Sequence, residues 1–269
     1  MKKAGTRALV RGLSASFPDC LKENAPSDPI RMDLARAQHE AYVRALRGLV
    51  DELTELPADD SLPDCCFIED TAVVVGERAA ISFLGARERR GEETAVRDAL
   101  RASGVRELLD IREPATLDGG DVLYTGRHLF VGLSRRTNEA AARQLEEIFG
   151  DLVPVCPVRV QGTLHLKSVL SALDSGTLLF GDCDAAKKIH AELEARYRLS
   201  ESYAVVWLPD PPASNVLAVG SSVLVQDGFP RSEVILKELA RRTGKTLIPI
   251  RMSEFIKADG ALTCCSILF

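Results

Sequence analysis

Three side chains that lie far apart in the sequence could together do covalent chemistry: the thiol of Cys264, the imidazole of His165 and the carboxylate of Asp118. A thiolate is a strong nucleophile, and a nearby imidazolium both lowers the thiol's pKa and can pass a proton to a leaving group. Further carboxylates stand at Asp64, Glu69, Asp70 and Asp121. Two or three carboxylates around a planar cation match the forked donors of a guanidinium. The guanidinium carbon is a poor electrophile because its charge is delocalised, so such a site must fix the plane of the group and present sulfur over one face. His165 as an acid would expel an amine, and as a base it would activate water to hydrolyse the covalent thiouronium, with Asp118 orienting the ring.

Taken singly, each residue has a plainer reading. Cys264 lies in the apolar run LTCCSI, where a cysteine is usually an inert small hydrophobe. His165 stands between two leucines, as a hydrogen-bonded core histidine could, and Asp118-Gly119-Gly120-Asp121 has the composition of a turn. Jointly these readings are less comfortable, because carboxylates gathered on one axis without a cationic partner would carry large burial costs.

What could gather them is a repeat. Apolar residues recur at helical spacing over 32–50, 92–103, 138–150, 185–197 and 232–243. A short apolar run that reads as a strand follows each helix, at 53–56, 107–111, 152–158, 204–208 and 246–250. Then comes a pair of β-rich runs around a Gly-containing turn, at Gly76-Glu77, Gly126-Arg127, Asp174-Ser175-Gly176 and Gly220-Ser221. The unit recurs roughly every 47 to 52 residues, a period at which repeat and propeller architectures are expected. The last run, ALTCCSILF, lacks a second strand, and pairing with the N-terminal segment around 6–13 would close a ring and protect its edges. The expected fold is therefore α/β, five units in one closed domain over 1–269, with the chemistry-bearing residues at the hairpin starts converging on the axis.

Composition agrees with this frame. Hydrophobic residues make up 46% and charged residues 27%, as in a globular protein with a full core. A net charge of −5 without a Lys/Arg-rich run argues against a nucleic-acid surface. The N-terminus, with Lys2 and Lys3, lacks an apolar core of signal-peptide length, and no stretch is long enough to span a bilayer. Seven cysteines, two pairs of them adjacent, do not form a disulfide framework and point to a reducing cytosol.

The stretches 62–70 (LPDCCFIED), 116–121 (TLDGGD), 132–138 (GLSRRTN), 164–168 (LHLKS) and 259–264 (DGALTC) resemble the dimethylarginine dimethylaminohydrolase family, in order along nearly the whole chain. The resemblance implies the five-bladed α/β propeller called the pentein fold, of ββαβ modules. It also implies hydrolysis of Nω-methylated L-arginine to citrulline and a methylamine, without a catalytic metal or cofactor. By match of motif, Cys264 is the nucleophile, His165 the proton donor and Asp118 its neighbour. Glu69 and Asp70, with Phe67 beside them, would hold the guanidinium. Asp64 would help hold the amino end, and Leu21, in a lid region, would be a further substrate-binding residue. Arg89 and Arg136 would bind the α-carboxylate, and Ala258 and Asp259 would touch substrate. Cys265, next to the nucleophile, suggests a site that zinc could inhibit; on an extended strand it would point to the opposite face. Arginine deiminases, amidinotransferases and a non-enzymatic translation factor share the fold, so they are the competing readings. The expected partner is the small substrate alone, with no nucleic acid or membrane, for a cytoplasmic monomer or homodimer.

Overall fold

The computed structural model describes residues 5–269; Lys2 and Lys3 lie outside them. The chain opens with β1 (Arg7–Arg11), α1 (Met32–Arg47) and β2 (Glu52–Leu56). Then follow β3 (Ala72–Val75), β4 (Arg78–Ile81), α2 (Glu92–Ala102) and β5 (Glu107–Asp110). The next unit is β6 (Val122–Tyr124), β7 (Leu129–Leu133), α3 (Glu139–Phe149) and β8 (Val155–Arg159). The third is β9 (Leu170–Asp174), β10 (Thr177–Gly181), α4 (Asp184–Tyr197), the short α5 (Leu199–Ser202) and β11 (Ala204–Leu208). The fourth is β12 (Leu217–Val219), β13 (Ser222–Gln226), α6 (Pro230–Thr243) and β14 (Thr246–Ile250), before the single-turn α7 (Ser253–Ile256) and β15 (Ile267–Leu268).

Each unit makes one three-stranded sheet, and there are five: β15-β1-β2, β3-β4-β5, β6-β7-β8, β9-β10-β11 and β12-β13-β14. The middle strand pairs antiparallel with the first and, after the helical crossover, parallel with the third. Because middle strands are covered on both faces, they read as continuous apolar runs, LFVGL in β7 and TLLFG in β10, and are buried along their length. Ring closure is as the sequence suggests: Ala8 and Leu9 pair with Leu268 and Ile267 of the C-terminal strand, while β1 runs parallel to β2. The two termini therefore build one blade together.

The helices match their expected positions to within a few residues, but the β-rich runs do not begin as strands. A one-turn 3-10 segment precedes every first strand: Ile68–Thr71, Gly119–Asp121, Leu166–Ser168, Pro211–Ser214 and Thr263–Cys265. In each, a backbone N–H closes locally on the carbonyl three residues back, as in Asp70 to Phe67, Asp121 to Asp118, Ser168 to His165, Asn215 to Pro212 and Ser266 to Thr263. Cys264 and Cys265 consequently lie in a tight turn, and the alternation expected of a strand does not apply to them.

The turn that carries Cys264 is anchored by the core beneath it. Tyr42 of α1 is fully buried, and its hydroxyl donates to Ser266 Oγ at 2.8 Å. Cys265 packs in the same apolar cluster as Tyr42, Leu46, Phe255 and Leu262. Tyr42→Phe should lower unfolding free energy by about 1–3 kcal/mol, since it strands the buried Ser266 hydroxyl. Urea unfolding measures it, and an unchanged midpoint would show that the bond carries no such weight.

Candidate active site

The five 3-10 turns bring their polar side chains to one end of the axis. His165 caps the Leu166–Ser168 turn, and its Nε2 lies 3.1 Å from Asp118 Oδ2. Asp118 is fully buried; its Oδ1 accepts from Gly85 N at 2.9 Å, and its Oδ2 also accepts from Arg136 Nη1 at 3.1 Å. Asp121, also fully buried, accepts from Leu166 N at 2.9 Å and from Ser134 Oγ at 2.6 Å. It thereby ties the imidazole-bearing turn to the loop that carries Arg136.

Two glycines make room for this. A Cβ on Gly119 would stand 2.1 Å from Glu69 O, and one on Gly120 would stand 2.7 Å from His165 Nδ1 and 2.8 Å from Asp70 Oδ1. The LDGGD motif is thus a place where backbone touches imidazole and carboxylate directly, and Gly120 N donates to Asp70 Oδ1 at 2.8 Å. Asp70, Asp118 and His165 each offer a donor atom within 4.8 Å of the others, and Cys264 is not part of that group. Hydrogen bonds from Gly120, Gly85, Arg89 and Arg136 already occupy the two carboxylates.

The charges sort accordingly. Burial alone would depress the His165 pKa, but Asp70, Asp121 and Asp118 outweigh it and lift the imidazole to about 9. Against its own burial, Asp70 is held well below the usual carboxylate range by His165 and Arg89. Burial lifts Asp121 to about 6. The Cys264 thiol is pushed up to about 12 by burial, with Glu69 and Asp70 adding to it. The surroundings thus favour the neutral form of the thiol and the charged form of the imidazole.

Cys264 and His165 line one cavity of about 320 Å³, together with Glu69, Lys167, Asn215, Gln226 and Asp259. Glu69 Oε1 pairs with Lys167 Nζ at 2.6 Å, and its Oε2 accepts from Thr263 Oγ1 at 2.9 Å. Over the mouth lies the segment 21–24. Leu21 N donates to Asp64 Oδ2 at 3.1 Å, Glu23 N to Asp259 Oδ2 at 2.6 Å, and Glu23 pairs with Arg135. Asp259 takes a left-handed backbone, φ 55°, which an aspartate tolerates better than most residues.

The remaining expected residues stand behind this wall. Phe67 packs against Phe17 and Phe255, and Ala258 is buried beside them. Arg89 is buried with its donors committed: Nη1 to Asp70 at 2.6 Å, Nη2 to Glu92 at 2.8 Å and to Phe67 O at 3.1 Å, with Asp64 at 4.0 Å. Arg136 keeps 19% of its side chain exposed and is the freer of the two guanidinium groups. Sequence reasoning did not place Glu92, whose carboxyl burial raises to about 7, as the partner of Arg89, although the three-residue spacing before α2 was there to be read. The segment 23–24 left no such signal, since its contacts lie 112 and 236 residues away.

A thiol and a charged imidazole at the axis of five ββαβ blades define a class, the cysteine-dependent α/β propellers of the pentein fold. Residues 51–195 match the family model "Arginine deiminase". Over 98% of its length the chain is 31% identical to the N(G),N(G)-dimethylarginine dimethylaminohydrolase of Pseudomonas aeruginosa, covering 96% of that protein. It is 36% identical to the human "Putative hydrolase DDAH2" over 96% of this chain and 92% of that one. The solved Pseudomonas aeruginosa enzyme, as a cysteine-to-serine variant complexed with citrulline, superposes with a TM-score of 0.87 over 98% of both chains, at 28% identity. The chain belongs to the dimethylarginine dimethylaminohydrolase family.

The His165 pKa carries a stability signature. The folded value, about 9, lies above the ordinary 6.5, so the ion pairs stabilise the fold fully below pH 6.5 and are lost as pH rises through about 9. Thermal unfolding should show a fall in Tm between pH 7 and 9.5 that is smaller in His165→Asn than in the parent. Equal falls would mean that the imidazolium is not held by the three carboxylates.

Proposed function

We propose that the protein hydrolyses Nω-methylated L-arginines, asymmetric dimethylarginine and monomethylarginine, to L-citrulline and the corresponding methylamine. The observation that carries this is the thiol and imidazolium lining one cavity, backed by carboxylates, in a chain of this family. The substrate guanidinium enters as a further cation beside Glu69 and Asp70, which already hold Lys167 and Arg89. Its charge beside the sulfur offsets the two carboxylates, so Cys264 loses its proton to water. The thiolate attacks the central guanidinium carbon, forming a C–S bond. His165 gives its proton to the methylated nitrogen, the C–N bond breaks, and the methylamine leaves a covalent thiouronium. The now neutral imidazole takes a proton from water, which attacks the same carbon; the C–S bond then breaks to release citrulline and regenerate the thiolate. Asp118 keeps the ring oriented through both halves. Arg136, with Asp64 and Leu21 across the mouth, would hold the amino-acid end, and Arg89 would act chiefly by fixing Asp70 and Asp64. This chemistry draws only on side chains and water, with zinc at Cys264 as an inhibitor. Seven unpaired cysteines suit a reducing cytosol, and no helix among the described residues is long and apolar enough to cross a membrane.

Turnover assays with dimethylarginine and with arginine, reading citrulline and amine, decide the substrate. Dimethylarginine should be the better substrate by kcat/KM; faster turnover of plain arginine would make the protein a deiminase. Cys264→Ser should lose activity by about 10³-fold or more. Acid quench of the parent during turnover should leave a substrate adduct on the peptide containing Cys264. Full activity in the serine variant would remove Cys264 from the nucleophile role.

A further inference from the structure

The nucleophile and the imidazole come from turns in different blades, and, among the described residues, no hydrogen bond runs directly between those two turns. They are joined by Asn215, from a third blade, at the end of the Pro211–Ser214 turn. Its side chain is almost wholly buried, at 1% exposure. Nδ2 donates to Lys167 O at 2.9 Å and to Thr263 Oγ1 at 3.0 Å, and Oδ1 accepts from Thr263 N at 3.0 Å. The chemistry of the partners fixes the amide's orientation. A flipped amide would set oxygen against the Lys167 carbonyl and N–H against the Thr263 N–H. Thr263 Oγ1 in turn donates to Glu69 Oε2, and Glu69 Oε1 pairs with Lys167 Nζ. Glu69, Lys167, Asn215 and Thr263 thus close a hydrogen-bonded ring through four of the five axial turns.

We propose that Asn215 is a positioning residue for the reaction: it locks the turn that carries Cys264 to the turn that carries His165. Thr263 immediately precedes Cys264, and Lys167 is two residues from His165, so both ends of the amide act within two residues of a reacting side chain. The Thr263 N–H has no strand partner to fall back on, because Thr263–Cys265 is a 3-10 turn and pairing begins only at Ile267. Asn215 borders the cavity, yet three of its hydrogen-bonding positions are spent on protein, which leaves substrate contact to its neighbours. Misplacement of a reacting group by about 1 Å can cost about 10²-fold in rate, so a cross-link of this kind acts on kcat more than on substrate binding.

The proposal rests on the reaction given above, and its test has an arm that does not need that reaction. With dimethylarginine as probe, Asn215→Leu should reduce kcat by about 10²-fold with KM little changed. Asn215→Asp, which keeps the acceptor for Thr263 N–H and loses the donor to Lys167 O, should fall between that variant and the parent. Thr263→Val cuts the same ring, so combining it with Asn215→Leu should cost no more than Asn215→Leu alone. Without substrate, iodoacetamide labelling read by peptide mass should show Cys264 modified faster in Asn215→Leu, as the released turn lets the thiol reach water, while the buried Cys66 stays protected. An unchanged kcat in Asn215→Leu overturns the proposal. So do additive losses in the double variant, or labelling of Cys66 in step with Cys264, which would mark general opening of the fold. If the parent fails to turn over dimethylarginine, the substrate assignment falls while the labelling comparison still decides the role of Asn215.

Discussion

One imidazolium held against three buried carboxylates is the interaction on which the site depends. Asp118 and Asp121 are fully buried and Asp70 nearly so. Carboxylates so placed are tolerable only if cations meet them at short range, and His165 meets all three while Arg89 and Arg136 meet Asp70 and Asp118 from behind. Gly120 of the LDGGD motif follows from this, because a side chain there would push the ring and the Asp70 carboxylate apart, while Gly119 lets the turn pass against the Glu69 carbonyl. Of that cluster Asp70 also acts on the Cys264 thiol, which burial, Glu69 and Asp70 together push up.

The axis is divided by a second ion pair. Glu69 and Lys167 border the cavity that holds Cys264, and they also border a separate space of about 230 Å³ walled by the first strands of the blades, with residues such as Ala72, Val122, Ala172, Leu217 and Ile267. Thr263 stands with them at that division. The cavity that holds Cys264 therefore has a polar floor made of side chains bonded to one another. It opens instead toward segment 21–24, which is tied down by single hydrogen bonds and one ion pair at its rim. That asymmetry suits a site that must exclude water during attack on the carbon and admit it afterwards.

Much of the fold was legible because its signals are local. Helical periodicity, Gly-centred hairpin turns and a recurring unit placed five helices and nearly every strand, and the unpaired last run predicted that the termini share a blade, as β15 and β1 do. What local patterns could not show is that each β-rich run starts with a 3-10 turn. Apolar residues such as Leu262, Leu166 and Ile68 satisfy either structure, and the deciding bonds come from side chains of other blades.

The sequence by itself determined which chemistry was available: adjacent thiols, one imidazole and a surplus of acids, at equivalent points of a repeat. Tertiary structure decided how those groups are shared. Glu69 takes a lysine 98 residues away and a threonine 194 away, Asp70 takes Arg89, and Asp118 takes both His165 and Arg136. It also committed the Arg89 donors to Asp70, Glu92 and the Phe67 carbonyl and made Asn215 a cross-link. The physical reason is that residue type fixes a group's charge and hydrogen-bonding capacity, whereas its pKa and its partners depend on which distant groups burial brings within about 3 Å.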